Sequence, residues 1–379
     1  MSRQVPLAVV AREWTRIGVT GFGGPPAHIA LLRSLVVDRR AWMEPREFED
    51  ANAACGLLPG PASTQMAIFC AYRVGGRGGA VVGGLGFVAP AVVMILALSV
   101  LFLSASPPEW VRALGAGAAG VVPAVAVHAG RALLSPSYRH ARGRLARWLV
   151  YVAAGAAAAI TLGAYLVLVL LGCGTIELLI QRRITIHTAA FNPVVLAVVV
   201  GTGGLLSLAW VAFKVGALSY GGGFVIIPLM QGDAVHTYHW MTNAQFLNAV
   251  ALGQVTPGPV VATVAAVGYA AHGIGGGLLA AVVAFVPSFS FILFGGRRFE
   301  RLRANAQARA FLDGAGPAAI GAIFGAAVTL AAALHEDWQY VVLAAAVVAL
   351  LAMRRGVVET LVGAALVGVA TSALGGPIP

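Results

Sequence analysis

The sequence predicts an all-α polytopic membrane protein, and three observations support this fold class: the composition, the long apolar segments and an internal repeat. Hydrophobic residues make up 59% of the 379 residues, and charged residues only 10%. In a soluble domain about a quarter of the residues are charged. The mean hydropathy of +0.86 agrees with this contrast. We therefore expect most of the chain to lie in lipid.

Several apolar segments are long enough to cross a bilayer. Residues 79–103, 114–134 and 147–171 carry few or no charges, and a membrane-spanning helix needs about 20 such residues. Backbone polar groups inside hydrocarbon must be paired within the protein, which leaves helices or a closed barrel. The sequence lacks the period-two alternation of barrel strands. We therefore expect about 10–13 transmembrane helices.

The net charge of +11 has two explanations. A basic chain can bind nucleic acid, but in a polytopic protein Arg also gathers in the cytoplasmic loops. The second explanation suits this composition, so we expect the lipid bilayer and no nucleic acid among the partners. The three cysteines have no metal-ligand or redox spacing, and we expect neither a metal nor a cofactor.

The chain contains two copies of one module, offset by 198 residues. The matching segments are Phe22-Gly23-Gly24 with Tyr220-Gly221-Gly222, Trp42-Met43 with Trp240-Met241, and Pro59-Gly60-Pro61 with Pro257-Gly258-Pro259. A rare Trp-Met pair and a Pro-Gly-Pro triplet in one frame exclude a chance match. We predict an N-terminal repeat over residues 1–185 and a C-terminal repeat over residues 190–379.

The loop charges predict that the two repeats are inverted relative to each other. In the first repeat an acid-bearing loop precedes a basic one, whereas in the second repeat the basic loop comes first. The basic loops contain Arg131, Arg139, Arg142, Arg144 and Arg147 in the first repeat, and Arg297, Arg298, Arg301, Arg303 and Arg309 in the second. Basic loops face the cytoplasm, so equivalent loops lie on opposite sides. We expect an inner-membrane protein with a cytoplasmic N-terminus.

Glycine and proline interrupt each repeat twice within apolar sequence. Such breaks occur at membrane depth where the freed backbone groups bind protein or line a cavity, and paired broken helices frame the substrate site of many transporters. Close helix packing is the alternative explanation of the glycines, but breaks in register in both repeats favour a site. The expected substrate-binding residues are Phe22, Gly23, Gly24, His28, Pro59, Gly60, Pro61, Ser63, Gln65, Tyr220, Gly221, Gly222, Gly223, Pro257, Gly258 and Pro259.

The expected substrate is an anion. A helix that begins at a break directs free N–H groups and its positive dipole end at the ligand, and Pro61 and Pro259 suit the first turn of such a helix. Arg16 and Lys214 each precede the aromatic-Gly-Gly turn by six residues. We expect them to attract the anion, with snorkelling at a helix end as the alternative. His28 is either functional or a hydrogen-bonded part of the scaffold.

The paired motifs resemble one known family. Phe22-Gly23-Gly24-Pro25 with His28, followed by Leu58-Pro59-Gly60-Pro61 with Gln65, is similar to the chromate ion transporter (CHR) family, long-chain two-domain type. The resemblance covers residues 10–335. It implies an inner-membrane carrier that exports chromate, a sulfate-like oxyanion, in a process coupled to the proton gradient. Because Val261 replaces Ser63 in the second repeat, we expect the first repeat to supply more polar ligands.

Other functions stay open on the sequence alone. A carrier of sulfate, of another small anion or of an organic acid would show the same breaks. An intramembrane enzyme is the remaining class, but zinc-protease, Ser-His and paired-acid patterns are absent, and the second triplet has no nucleophile beside it. We therefore expect no catalytic residues. A homodimer is one option for the oligomeric state, which the sequence does not determine.

Overall fold

The structure, a computed structural model, describes residues 5–56, 60–104, 106–141, 143–182, 203–219, 223–295 and 305–379. Every regular element in these residues is a helix, as predicted. The α-helices are α1 Leu7–Thr20, α2 Gly24–Arg33, α3 Pro45–Cys55, α4 Ala62–Phe102, α5 Glu109–His140, α6 Leu145–Thr161, α7 Leu166–Arg182, α8 Leu205–Leu218, α9 Ile226–Gln231, α10 Asn243–Val255, α11 Val264–Gly295, α12 Ala306–Ala332, α13 Asp337–Val347 and α14 Val357–Ala373.

Many of these helices are apolar enough to lie in a membrane. Among the described residues, four are long enough to cross it by themselves, namely α4, α5, α11 with the turn before it, and α12. Five shorter apolar helices accompany them: α6, α7, α8, α13 with its extension to Ala352, and α14. The chain is a multi-pass membrane protein. The number of 10–13 crossings stays a prediction.

The helices recur at the spacing of the sequence repeat. Both bounds of α1 and α8 differ by 198, as do those of the π-helical segments Ser34–Arg39 and Gly232–Thr237. The helix α12 is the equivalent of α5 and is shorter, with 27 residues against 32. For the equivalent helices α7 and α14, which follow later in each repeat, both bounds differ by 191 instead of 198. Local backbone geometry also recurs, since Ala41 and His239 have φ angles of 48° and 52°.

A helical hairpin enters the membrane in the first repeat. Glu47, near the start of α3, forms an ion pair with Arg73 in α4, so α3 and the first part of α4 run antiparallel with Pro61 at the tip. The rise of 1.5 Å per residue puts Pro61 about 18 Å from Arg73 along the helix. This is roughly half the thickness of the hydrocarbon core. The tip of the hairpin would therefore reach the middle of a bilayer whose surface lies at the Glu47–Arg73 ion pair.

The helix α4 reverses direction at Gly76, where φ is 65° and ψ is −156°. Glycine reaches this conformation without strain because it has no Cβ. The return segment, residues 77–102, packs tightly on the first part of α4, since a Cβ on Gly83 would collide with Ala71. Gly273 reverses α11 with nearly the same angles, 62° and −156°.

The two return segments pack on each other. A Cβ built on Gly84, early in the first return segment, would lie 2.5 Å from the ring of Phe289, late in the second. Gly277, early in the second, faces Leu96, late in the first. The return segments of the two repeats therefore run antiparallel.

The two repeats are interlocked. The helix α5 of the first repeat packs against α13 and α14 of the second, and α12 of the second packs against α6 and α7 of the first. Glycine permits the close approach of these helices. A Cβ on Gly117 would collide with the carbonyl oxygen of Ala364, and one on Gly368 with that of Ala113. Each repeat therefore completes the helix bundle of the other.

This packing predicts different effects for two glycines of α14. We expect Gly368→Ala to lower the thermal unfolding midpoint of the purified protein, because its Cβ meets the backbone of α5 and overpacking costs about 1–3 kcal/mol. Gly363→Ala is the matched control, since nothing lies within 4 Å of its Cβ. Equal midpoints for the two variants would contradict the close contact between α5 and α14.

Candidate functional site

The interrupted segments of the two repeats meet inside the protein. The backbone N–H of Gly258 donates a hydrogen bond to the carbonyl of Gly21 at 3.0 Å, which joins the second Pro-Gly-Pro triplet to the first glycine turn. A Cβ built on Gly60 would lie 3.3 Å from both the carbonyl oxygen of Gly216 and the Oγ of Ser288. Each triplet therefore contacts backbone or side chains of the other repeat.

The middle glycines of the triplets have similar backbone angles. Gly60 has a φ of 115° and Gly258 a φ of 107°, a region that favours glycine. Pro61 and Pro259 directly precede α4 and the 3-10 turn Val260–Thr263. Both prolines are N-cap residues, one position before the first turn in which we expected them. The carbonyl of Pro61 accepts the first hydrogen bond of α4, from the N–H of Gln65. Within the described residues, neither helix start has a side-chain cap.

His28 connects the first glycine turn to the start of α4. Its Nε2 lies 2.9 Å from the carbonyl oxygen of Gly21, and its Nδ1 lies 3.3 Å from the Oγ of Ser63. A carbonyl only accepts hydrogen bonds, so Nε2 carries a proton and Nδ1 of the neutral ring accepts from the Ser63 hydroxyl. The ring is fully buried and meets Phe87 edge-on. His28 thus has the contacts of a scaffold residue.

Buried hydroxyl groups surround the triplets. The Oγ atoms of Ser219 and Ser288 and the Oγ1 atoms of Thr64 and Thr263 have no hydrogen-bond partner among the described residues, and all four side chains are buried. An unpaired polar atom in the interior is costly, so such groups point to a ligand or water. Neither Ser219 nor Ser288 was among the predicted site residues. Ser219 could have been found, because it occupies the repeat position of Gly21.

The other predicted site residues differ in environment. Gln65 is fully buried in α4, next to Gly60. Phe22 is 46% exposed, and Gly23 directly precedes α2 with a φ of 100°, so that Gly24 begins the helix. Gly223 has a φ of 93°, and a Cβ on it would lie 3.4 Å from the Oγ of Ser219. The predicted residues Pro59, Tyr220, Gly221 and Gly222 lie outside the described residues.

Both predicted anion-attracting cations have carboxylate partners. The Nζ of Lys214 lies 2.7 Å from the Oδ2 of Asp233, and both side chains are largely buried. The Nη1 of Arg16 lies 3.8 Å from the Oε2 of Glu13, which also pairs with Arg40 at 2.8 Å. A paired carboxylate offsets the attraction of each cation for an anion. The side chain of Arg16 is 53% exposed, so its charge is the more accessible.

A cavity of about 600 Å³ connects the first triplet to a group of charged side chains. Gly60 and Ala62 line it, so the start of α4 faces this space. Charged residues from the ends of three other helices line it as well, namely Arg144, Arg147, Glu177, Arg309 and Asp313. From the sequence, these arginines were predicted only to mark the orientation of the loops. The cavity therefore extends from these charged side chains to the start of α4.

A helical multi-pass bundle with paired broken helices and a cavity lined in part by charged side chains is typical of membrane transport proteins. This chain is a member of the chromate transporter family. The family model, described as "Chromate transporter", matches residues 8–178 and 206–369. The resemblance inferred from the paired motifs is therefore confirmed.

Three relatives match most of the chain. The chromate transport protein of Cupriavidus metallidurans is 32% identical, covering 93% of this chain and 90% of its own length. The chromate transport protein of Pseudomonas aeruginosa is 33% identical, with 86% and 81% covered. The probable chromate transport protein of Synechococcus elongatus is 29% identical, with 87% and 86% covered. No solved structure matches this chain.

Proposed function

We propose that this protein is a secondary transporter that exports chromate, or a sulfate-like oxyanion, across the inner membrane. Family membership supports the substrate, because relatives that share most of the chain are named chromate transport proteins. The observation that carries the proposal is the cavity that leads from a group of arginines to the uncapped start of α4.

Inverted repeats are part of this proposal, and the ends of two equivalent helices support them. The helix α14 ends beside the start of α5, where the Ser372 hydroxyl donates to Glu109 at 2.9 Å. The helix α7 approaches the opposite end of α5, since Glu177 pairs with Arg144 just beyond that end. Equivalent helices thus end on opposite sides, and the antiparallel return segments agree with this inversion.

The distribution of charge supports a cavity that faces the cytoplasm. Arg144, Arg147 and Arg309 line it, and arginines gather on the cytoplasmic side. The N-terminus lies on the same side in this proposal. The backbone N–H of Val5 donates to the carbonyl of Val74 at 2.9 Å, so the N-terminus lies where the return segment begins. The return segment leads from that side to the side of Glu109, and α5 leads back to Arg144. An anion from the cytoplasm would enter such a cavity directly.

We propose that the anion binds where α4 begins. The first N–H groups of a helix have no intrahelical partner, and they stabilise a negative charge together with the helix dipole. Gly60, Ser63 and Gln65 belong to this region, and Ser288 adds a hydroxyl from the other repeat. The equivalent start in the second repeat is less polar, because Val261 takes the place of Ser63. The first repeat therefore supplies most of the ligands.

Arg16 and Lys214 complete the proposal as residues that raise the local concentration of the anion. Their ion pairs make this contribution smaller than that of free cations, and the exposed Arg16 contributes more than the buried Lys214. Coupling to the proton gradient rests on the family resemblance. The alternative substrates are sulfate and other small anions, because a helix N-terminus and guanidinium groups attract such anions in general.

Chromate flux in sealed inside-out vesicles tests the function. We expect chromate to accumulate in the vesicle lumen, and faster when the lumen is acidic, because protons leaving the lumen would drive the anion in. Vesicles without the protein and vesicles without a pH gradient are the controls. Transport of sulfate without chromate would favour the alternative substrate, and transport only in the opposite direction would contradict export.

Ser288→Ala tests the position of the binding site. We expect the variant to fold normally, because its hydroxyl has no partner among the described residues. We expect the KM for chromate to rise about tenfold, since a hydrogen bond to a charged group contributes about 1.5–3 kcal/mol. Ser99→Ala is the matched control, because the Ser99 hydroxyl is equally buried and also has no partner among the described residues. Ser99 lies about two helical turns beyond Ala91, the residue of the return segment that faces Gly258. Equal KM values would contradict this site.

A further inference from the structure

A second group of polar residues in the cavity has no role in binding at the start of α4. Arg144 directly precedes α6, Arg147 lies in its first turn, Glu177 lies in α7, and Asp313 lies in α12. We call these four residues the arginine–carboxylate cluster. All four line the cavity that reaches the first triplet, so an anion that enters the cavity meets them.

Glu177 is surrounded by hydrogen-bond donors. Its side chain is only 2% exposed, with Oε1 lying 3.1 Å from the Nη1 of Arg144 and Oε2 lying 3.2 Å from the Nε of Arg147. The Tyr151 hydroxyl donates to Oε2 at 3.0 Å, and the Nε2 of Gln181 donates to Oε1 at 2.9 Å. Four side chains thus converge on one carboxylate.

Asp313 brings a second carboxylate to the same donors. Its Oδ2 lies 2.8 Å from the Nη1 of Arg144, and the Nε2 of Gln181 donates to it at 3.0 Å. Asp313 belongs to the second repeat, whereas the other members of the cluster belong to the first. The ion pair between Arg144 and Asp313 therefore connects the two repeats at the wall of the cavity.

The donors of the cluster are those that bind oxyanions. A guanidinium group presents N–H groups whose geometry matches a carboxylate, a phosphate or a similar tetrahedral anion. The adjoining cavity of about 600 Å³ leaves room for a small inorganic ion. Together with Arg309, the charged residues that line it comprise three guanidinium groups and two carboxylates. They carry one net positive charge, which favours an anion.

We propose that Arg144 and Arg147 form a second oxyanion site, in which the transported dianion competes with Glu177 and Asp313 for the guanidinium groups. This inference rests on the proposed function and identifies where the anion first binds. A dianion that takes Arg144 from Asp313 also breaks the ion pair between the repeats. Occupancy of the site thus weakens a contact between α12 and the first repeat, which links binding to relative movement of the repeats.

Binding of chromate and of sulfate to the purified full chain in nanodiscs, measured by calorimetry, tests this competition. Glu177→Gln removes the competing charge and keeps the side-chain shape, so we expect each anion to bind about tenfold more tightly, a gain of about 1.4 kcal/mol. Arg147→Gln removes a donor group, and we expect binding to weaken about tenfold. In the Arg147→Gln background, Glu177→Gln should have a much smaller effect, because the two residues act on one site.

A second variant and a control keep the result interpretable. Asp313→Asn removes the other carboxylate, which is partly exposed, and we expect this variant to bind the anion more tightly as well. It tests the competition even if the Glu177→Gln variant fails to fold. Arg139→Gln is the control for loss of positive charge near the cluster, because Arg139 lies at the end of α5, five residues before Arg144. The Nε of Arg139 donates to the carbonyl of Ser135, one helical turn earlier, and we expect the loss of Arg139 to leave affinity nearly unchanged.

The outcomes separate the second site from the proposed function. If folded Glu177→Gln and Asp313→Asn bind no more tightly than the wild type, the cluster is only structural and the second site is wrong, while wild-type chromate flux would leave the proposed function standing. If the wild type neither binds nor transports chromate or sulfate, both proposals are overturned. A purely structural cluster would lower stability on substitution, but it would not raise affinity.

Discussion

A backbone that is interrupted inside hydrocarbon must have its freed N–H and C=O groups bound by protein, water or a ligand, and this constraint governs the whole structure. The carbonyl of Gly21 accepts hydrogen bonds from both the His28 ring and the N–H of Gly258. One repeat thus pairs the broken backbone of the other. The interlocked packing of α5 with α13 and α14, and of α12 with α6 and α7, holds the two repeats in the register that these bonds require.

The duplicated module has diverged where an anion would bind. His28 and Ser63 support the start of α4, whereas Ile226 and Val261 occupy the equivalent positions of the second repeat. The cavity reaches Gly60 of the first triplet. The two repeats therefore share a backbone framework but differ in chemistry. In the proposed transporter, inverted symmetry would give the two directions of access, and the polar residues of the first repeat would bind the dianion.

Much of the fold was predictable because its signals are local. Apolar segments, the repeat spacing and the Pro-Gly-Pro triplets are visible in one sequence. Side-chain partners were not, since they depend on which helices meet. Arg144 binds carboxylates 33 and 169 positions away, Glu177 and Asp313. Ser288 gave no signal, because a serine in an apolar helix is informative only once the facing Gly60 is known. Asp233 was missed as the partner of Lys214, because the first repeat has a leucine at that position.

The central claim is that the broken helices of both repeats form one anion site in the middle of the membrane. Anomalous diffraction from crystals containing selenate, a tetrahedral dianion that resembles sulfate, tests it most directly. If the anion binds there, we expect a selenium peak within hydrogen-bond reach of the backbone N–H groups at the start of α4, close to Gly60 and Ser288. Selenium peaks confined to the protein surface, with none inside the bundle at a concentration that saturates transport, would contradict it.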